Sequence, residues 1–203
     1  MKKIKATLIA ILLGTSFILS SCGESTKEKA LKSAETADPK AGDPVKAEEK
    51  SDYLIENKIL HSFSDPSKKD EFRIVITGEN LLKGKVLFTI TNSEGKNLLK
   101  EEFDAEMLLG YDFMGDINSQ KETDAFIQKR INSFFAKDKF SIPAIEDEIL
   151  FEDQSYYIDK ETWTEIKSDK QTIGFYYLLG KEDGRHIAFS KKKGKVVMFY
   201  NCC

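Results

Sequence analysis

The spacing of apolar residues changes more than once between Tyr53 and Cys203, and each spacing suits a different backbone. Phe72, Ile74 and Ile76 sit at every second position, as do Val86, Phe88 and Ile90. That period predicts two strands, each with one strongly apolar face. Gly78-Glu79-Asn80 interrupts the first run, Asn92-Ser93-Glu94-Gly95 supplies a turn after the second, and Leu98 to Phe103 completes an antiparallel meander. Ile127, Ile131 and Phe134 then recur at helical spacing, flanked by Phe126 and Phe135, which predicts an amphipathic helix. Ser119 and Glu122 have the spacing of a capping box at its start, and Glu122 and Asp124 precede Lys129, Arg130 and Lys137 as the helix dipole favours. Thr162 and Glu165 repeat the spacing and predict a short turn carrying Trp163 and Ile166 inward.

Toward the C-terminus the period is lost because both faces are apolar. Phe175-Tyr176-Tyr177-Leu178-Leu179 and Val196-Val197-Met198-Phe199-Tyr200 bracket Ile187-Ala188-Phe189, so the outer two runs read as strands covered on both sides. Asp183-Gly184 predicts a two-residue hairpin, and Lys191-Lys192-Lys193 with Gly194 and Lys195 predicts a solvated turn. The expected fold class is α+β: a β-meander, an amphipathic helix and a second β-meander in one antiparallel sheet of about six strands. A β-sandwich with one crossover helix is the alternative. Residues 53–203 are enough for one globular domain that buries roughly 70% of its unfolded surface.

The N-terminal quarter is built differently. Lys2, Lys3 and Lys5 precede the apolar stretch Ala6 to Leu19, which is shorter than the roughly 20 residues a membrane-spanning helix needs. Leu19-Ser20-Ser21-Cys22 closes it. This run resembles the lipobox of bacterial lipoproteins. The resemblance covers residues 1–22 and implies cleavage before Cys22, thioether-linked diacylglycerol on its sulfur, and a further acyl chain, such as palmitate, on its amine. Two or three chains hold a protein stably on a membrane, where one does not. Gly23 in place of Asp implies the outer membrane, facing the periplasm or the cell surface. The expected organisation is a signal peptide over 1–21, a lipidated cysteine with a charged tether over 22–52, and the domain over 53–203. The tether alternates Lys with Glu and Asp and offers Leu31 and Val45 as its large apolar side chains, too little apolar area to offset its ordering entropy. Its root-mean-square reach is about 30 Å.

Loss of residues 1–21 moves the net charge from −3 to −6. That sign argues against nucleic acid as a partner, since phosphate binding needs clustered Lys and Arg. His61 and His186 lack the spacing of a metal or nucleophile motif, and Glu146-Asp147-Glu148 with Glu152-Asp153 reads first as a solvated acidic run. No cofactor is implied. Tyr156, Tyr157, Trp163 and Tyr176 are the candidate ligand face, with an ordinary core as the competing reading. Cys202-Cys203 is a candidate thiol pair, open between a vicinal disulfide, free thiols and an intermolecular bridge. The expected function is a membrane-tethered module, anchored through Cys22, that binds an envelope protein or a small ligand without catalysis. An envelope enzyme (carboxylate-based hydrolase or thiol oxidoreductase) and a structural lipoprotein are the alternatives. Cys22→Ala should leave the fold intact and release the chain from membranes. Fractionation that still finds the variant with the membrane would refute the lipid anchor.

Overall fold

Two sheets, not one, take up the apolar alternation. The computed structural model describes residues 52–152 and 154–202, in which eight strands form two separate four-stranded antiparallel meanders. The first contains β1 (Ile55–His61), β2 (Asp70–Thr77), β3 (Lys85–Thr91) and β4 (Asn97–Asp104). The second contains β5 (Phe140–Ser141), β6 (Gly174–Leu179), β7 (Asp183–Ser190) and β8 (Lys195–Cys202). Helix α1 (Gln120–Ser133) lies between the meanders in sequence, and α2 (Lys160–Ser168) lies between β5 and β6. The class is therefore α+β. The single six-stranded sheet is corrected to two sheets, because β4 and β5 each end a meander and β5 pairs with β6.

The period-two runs bury the faces expected of them. Phe72 pairs with Ile90, Ile74 with Phe88 and Ile76 with Val86, and all six are buried. Their rings and methyls meet the second sheet through Phe175, Tyr177 and Ile187 in one apolar cluster. Phe88 lies 5.2 Å from Tyr177 and 5.9 Å from Phe175, while Phe72 lies 5.3 Å from Phe175. The end of α1 closes the side of this layer. Ile127 and Ile131 are buried on the helix, and Phe134 and Phe135 run on from its last turn into the same cluster.

The opposite face of the second sheet has its own smaller core. Trp163 and Ile166 of α2 pack there with Ala188, Phe199, Ile145 and Ile158. This is why β8 is apolar at successive positions: Val196 and Met198 pack on the first cluster, Val197 and Phe199 on the second, whereas β6 gives Phe175, Tyr177 and Leu179 to the first cluster and no residue to the second. Trp163 and Ile166 thus point inward as expected. The start of α2 differs, since Asp159 is the cap and its carboxylate accepts from the Thr162 N–H at 2.9 Å. At α1 the Ser119 hydroxyl makes no capping bond; Glu122 instead accepts from the Asp116 N–H at 2.9 Å.

Strand β1 carries no clear period, because Asn57 and His61 share its inward face with Ile55 and Ile59. The Asn57 amide donates to the Ile131 carbonyl at the end of α1, at 2.7 Å, and His61 stacks on Phe140 with centroids 4.0 Å apart. The hairpin expected at Asp183-Gly184 is displaced. Both residues belong to β7, and the connection is Gly180-Lys181-Glu182 with Gly180 at a φ of +67°, a conformation that favours glycine. The lysine turn forms where expected but is not simply solvated. Lys191 pairs with Asp169, Lys192 with Glu161 and Lys193 with Asp159, which ties the β7–β8 turn to both ends of α2. Among the described residues no helix is long and apolar enough to cross a membrane.

Phe88 touches both sheets and the helix end, so Phe88→Ala should remove about 3–5 kcal/mol of stability. Urea denaturation measures this; a loss below about 1 kcal/mol would mean that the shared layer is not the main core.

Candidate functional site

Residues 105–118 leave β4 and reach α1 with little regular structure, yet the segment is held at both ends and along its length. A 3-10 turn, Ala105–Leu109, buries Ala105, Leu108 and Leu109, which leaves Glu106 and Met107 on the outside. Its backbone is bonded beside both sheets: Ala105 N–H donates to the Gly84 carbonyl, just before β3, at 3.0 Å, and Gly180 N–H, just after β6, to the Met107 carbonyl at 2.8 Å. Beyond the turn, Arg130 of α1 pairs with Asp112 and lies 5.2 Å from the Phe126 ring, which itself meets Phe113 edge-on at 5.2 Å. Across the gap, the Tyr111 hydroxyl donates to Glu182 and Lys181 covers the Tyr111 ring at 5.3 Å.

The result is a fixed rim with apolar side chains turned to solvent. Met114 is 90% exposed, Tyr111 60% and Ile117 49%. Large apolar groups left exposed on a segment this firmly held are candidates for an interaction surface. Below the rim lies an open hollow of about 420 Å³, lined by Met107, Leu109, Phe113 and Ile117 with Asp104, Glu106 and Lys181 at its edge. A second hollow of about 480 Å³ adjoins it at Met107 and Asp104 and continues past Glu101, Glu102 and Arg185.

The floor beside the second hollow is a polar clamp between the sheets. Tyr177 donates to Glu101 at 2.8 Å, Arg185 reaches Glu101 at 3.0 Å and Asp183 at 2.7 Å, and Asn201 donates to Asp183 at 2.7 Å. Arg185 holds the Asp183 carboxyl below the ordinary carboxylate range, and Asp183 in turn raises the guanidinium above its own. Burial, and then the Glu101 charge, push the Tyr177 hydroxyl well above the ordinary tyrosine value. Tyr177 therefore stays a neutral donor and Arg185 a fixed cation. This cluster positions β4 against the second sheet and puts carboxylates at the mouth of the hollow.

The sequence-derived candidates are dispersed. Trp163 is buried in the core beneath α2, 6.1 Å from Phe151. Tyr156 is 91% exposed and meets Tyr157 edge-on at 5.5 Å in the loop before α2. Tyr176 lies on the outer face of β6 in a cross-strand row with His186 and Tyr200, its ring 4.8 Å from His186 and covered by Lys139 at 4.7 Å. Cys22 and Cys203 fall outside the described residues; Cys202 ends β8 opposite Gly184. Asp147 of the acidic run pairs with Lys170, and among the described residues no group of three or more His, Cys, Asp or Glu could hold a metal ion.

Met107, Tyr111, Met114 and Ile117 are the residues that periodicity does not reveal. A signal does exist in the chain: residues 101–118 hold six acids and neither Lys nor Arg, while their apolar residues follow no strand or helix period. Apolar groups that no regular element will bury, in an unbalanced charge field, are candidates for exposure. No family model, curated protein or solved structure matches the chain.

The half-buried His186 gives the second sheet a pH dependence. Burial lowers its pKa from the ordinary value of 6.5, so below that pH the unfolded chain binds the proton more readily than the folded one. The contribution is present above about pH 6.5 and is lost as the pH falls through the window beneath it, before the depressed carboxylates act below about pH 4. His186→Phe should flatten the stability profile between about pH 6.5 and 5 in urea titrations. An unchanged slope would show that His186 binds its proton alike in the folded and unfolded chain.

Proposed function

We propose that the protein is a lipid-anchored module of the bacterial cell envelope that binds another protein through the surface around Met107 and catalyses no reaction. The observation that carries this reading is the pinned apolar rim. Met107, Tyr111, Met114 and Ile117 stay exposed although the backbone bonds at Ala105 and Gly180 and the Arg130–Asp112 pair hold their segment in place. A segment that spends this many contacts on presenting apolar groups to water is organised for a partner. Methionine suits such a surface because its unbranched, polarisable side chain adapts to the shape it meets.

The lipobox-like run ending at Cys22 supports the anchor, and the tether supports the reach. A reach of about 30 Å, the length expected of a charged segment of that composition, lets the domain meet a partner that stands clear of the headgroups, most simply in the outer membrane or the space beside it. Confinement to one surface also raises the effective concentration of a partner held on the same membrane, so a modest interface suffices.

A photoreactive phenylalanine analogue at position 114 tests the reading in intact cells, with position 58, on the solvent side of β1, as the control. The expected result is one protein adduct from position 114, none from 58, and its loss when Met107→Ser and Ile117→Ser are combined. Absence of an adduct at 114, equal labelling from 58, or indifference to the double substitution would each overturn it.

A further inference from the structure

The charge around the hollow specifies its occupant more closely. Residues 101–118 carry a net charge of −6, and the chain from Cys22 onward also totals −6, so everything outside this segment balances to zero. Four of the six acids have basic partners: Glu101 with Arg185, Glu102 with Lys100, Asp104 with Lys85, and Asp112 with Arg130. Glu106 and Asp116, both exposed, have no Lys or Arg partner among the described residues. The one strongly basic run, Lys191-Lys192-Lys193, is matched by Asp169, Glu161 and Asp159 and so offers them nothing.

Resting on the protein-binding reading above, we propose that the occupant is a protein segment that is both apolar and basic: an amphipathic helix whose apolar side chains enter the hollow beside Met107 and Ile117 while Lys or Arg at its flank reaches Glu106 and Asp116. The chemistry is complementary along the apolar lining and at the acids of the edge, while Lys181, at the same edge, lies over the Tyr111 ring. The hollow's lining is apolar where Leu109, Phe113 and Ile117 meet, and its edge is acidic where Asp104 and Glu106 lie. Apolar anchors supply affinity in such a groove, and charges at its rim supply register and rate of encounter. An anionic lipid surface would meet like charge at the same rim, which sets it aside as the occupant.

The test uses the full chain in zwitterionic lipid nanodiscs, with empty nanodiscs as the blank. The probes are two fluorescent peptides of about four helical turns with the same leucine stripe, one flanked by Lys and the other by Glu. Anisotropy should show binding of the Lys peptide, weakening as salt rises, and little binding of the Glu peptide. Glu106→Lys with Asp116→Lys should weaken the Lys peptide about fivefold, whereas Glu146→Lys with Glu148→Lys, an equal change of net charge on the α2 side, should not. Equal loss from both reversals would mean bulk attraction only and overturn the proposal. If both peptides bind alike and Met107→Ser with Ile117→Ser abolishes both, the basic flank is refuted while the protein-binding reading stands. If that double substitution changes neither peptide binding nor the adduct from position 114, both fall together. Recruitment to phosphatidylglycerol vesicles that depends on Met107 and Ile117 would replace the helix with a lipid surface.

Discussion

The aromatic layer between the two sheets is the contact on which the remaining structure depends. Phe72 and Phe88 from the first sheet, Phe175 and Tyr177 from the second, and Phe134 and Phe135 from the end of α1 meet there with centroids mostly 5–6 Å apart. Each fully buried ring contributes about 2–3 kcal/mol through burial, and edge-on geometry adds to it. Because the three elements share one set of rings, the sheets and the helix are fixed together. The crossover from β4 to β5 can then be long and irregular without loosening the fold.

Polar contacts set the orientation that the rings leave open. Dispersion and burial are nearly indifferent to a slide of one sheet over the other, whereas the Tyr177–Glu101–Arg185–Asp183 clamp is directional. It sits at the rim of the layer, half-buried, where one guanidinium serves two carboxylates from different sheets. On the far side the lysine turn does similar work against α2. There Glu165, despite the cost of its partial burial, is held below the ordinary carboxylate range by Ser190 and the backbone of the turn. Lys193 keeps Asp159 low as well, beside its capping bonds to Thr162.

The candidate surface is a consequence of this arrangement. The 3-10 turn after β4 is hung between the Gly84 carbonyl, just before β3, and the Gly180 N–H, in the connection after β6, so its place depends on both sheets. Gly84 itself can carry no side chain, since a Cβ would lie 2.4 Å from Ile76 Cγ2. With Ala105, Leu108 and Leu109 committed to the core, Met107, Tyr111, Met114 and Ile117 have no interior left to enter.

The sequence by itself determined the one-dimensional facts. Alternation at Phe72 to Ile76 and Val86 to Ile90 stated which side chains share a face, the helical spacing of Ile127, Ile131 and Phe134 stated the buried stripe of α1, and Asn92 to Gly95 stated a turn. A period encodes inside against outside within one element, and those faces are the ones the structure buries. Partners across the chain were decided only by tertiary structure. The division into two sheets, the place of β1 with its inward Asn57 and His61, and the transfer of the hairpin from Asp183-Gly184 to Gly180 all depend on contacts between residues far apart in sequence. The same is true of the aromatic residues. Composition alone treats Trp163 and Met114 alike as large and apolar, but one fills the gap beneath α2 and the other stands in solvent because its segment is tied down on either side. Burial is a property of the space that other elements leave, and no local pattern records that space.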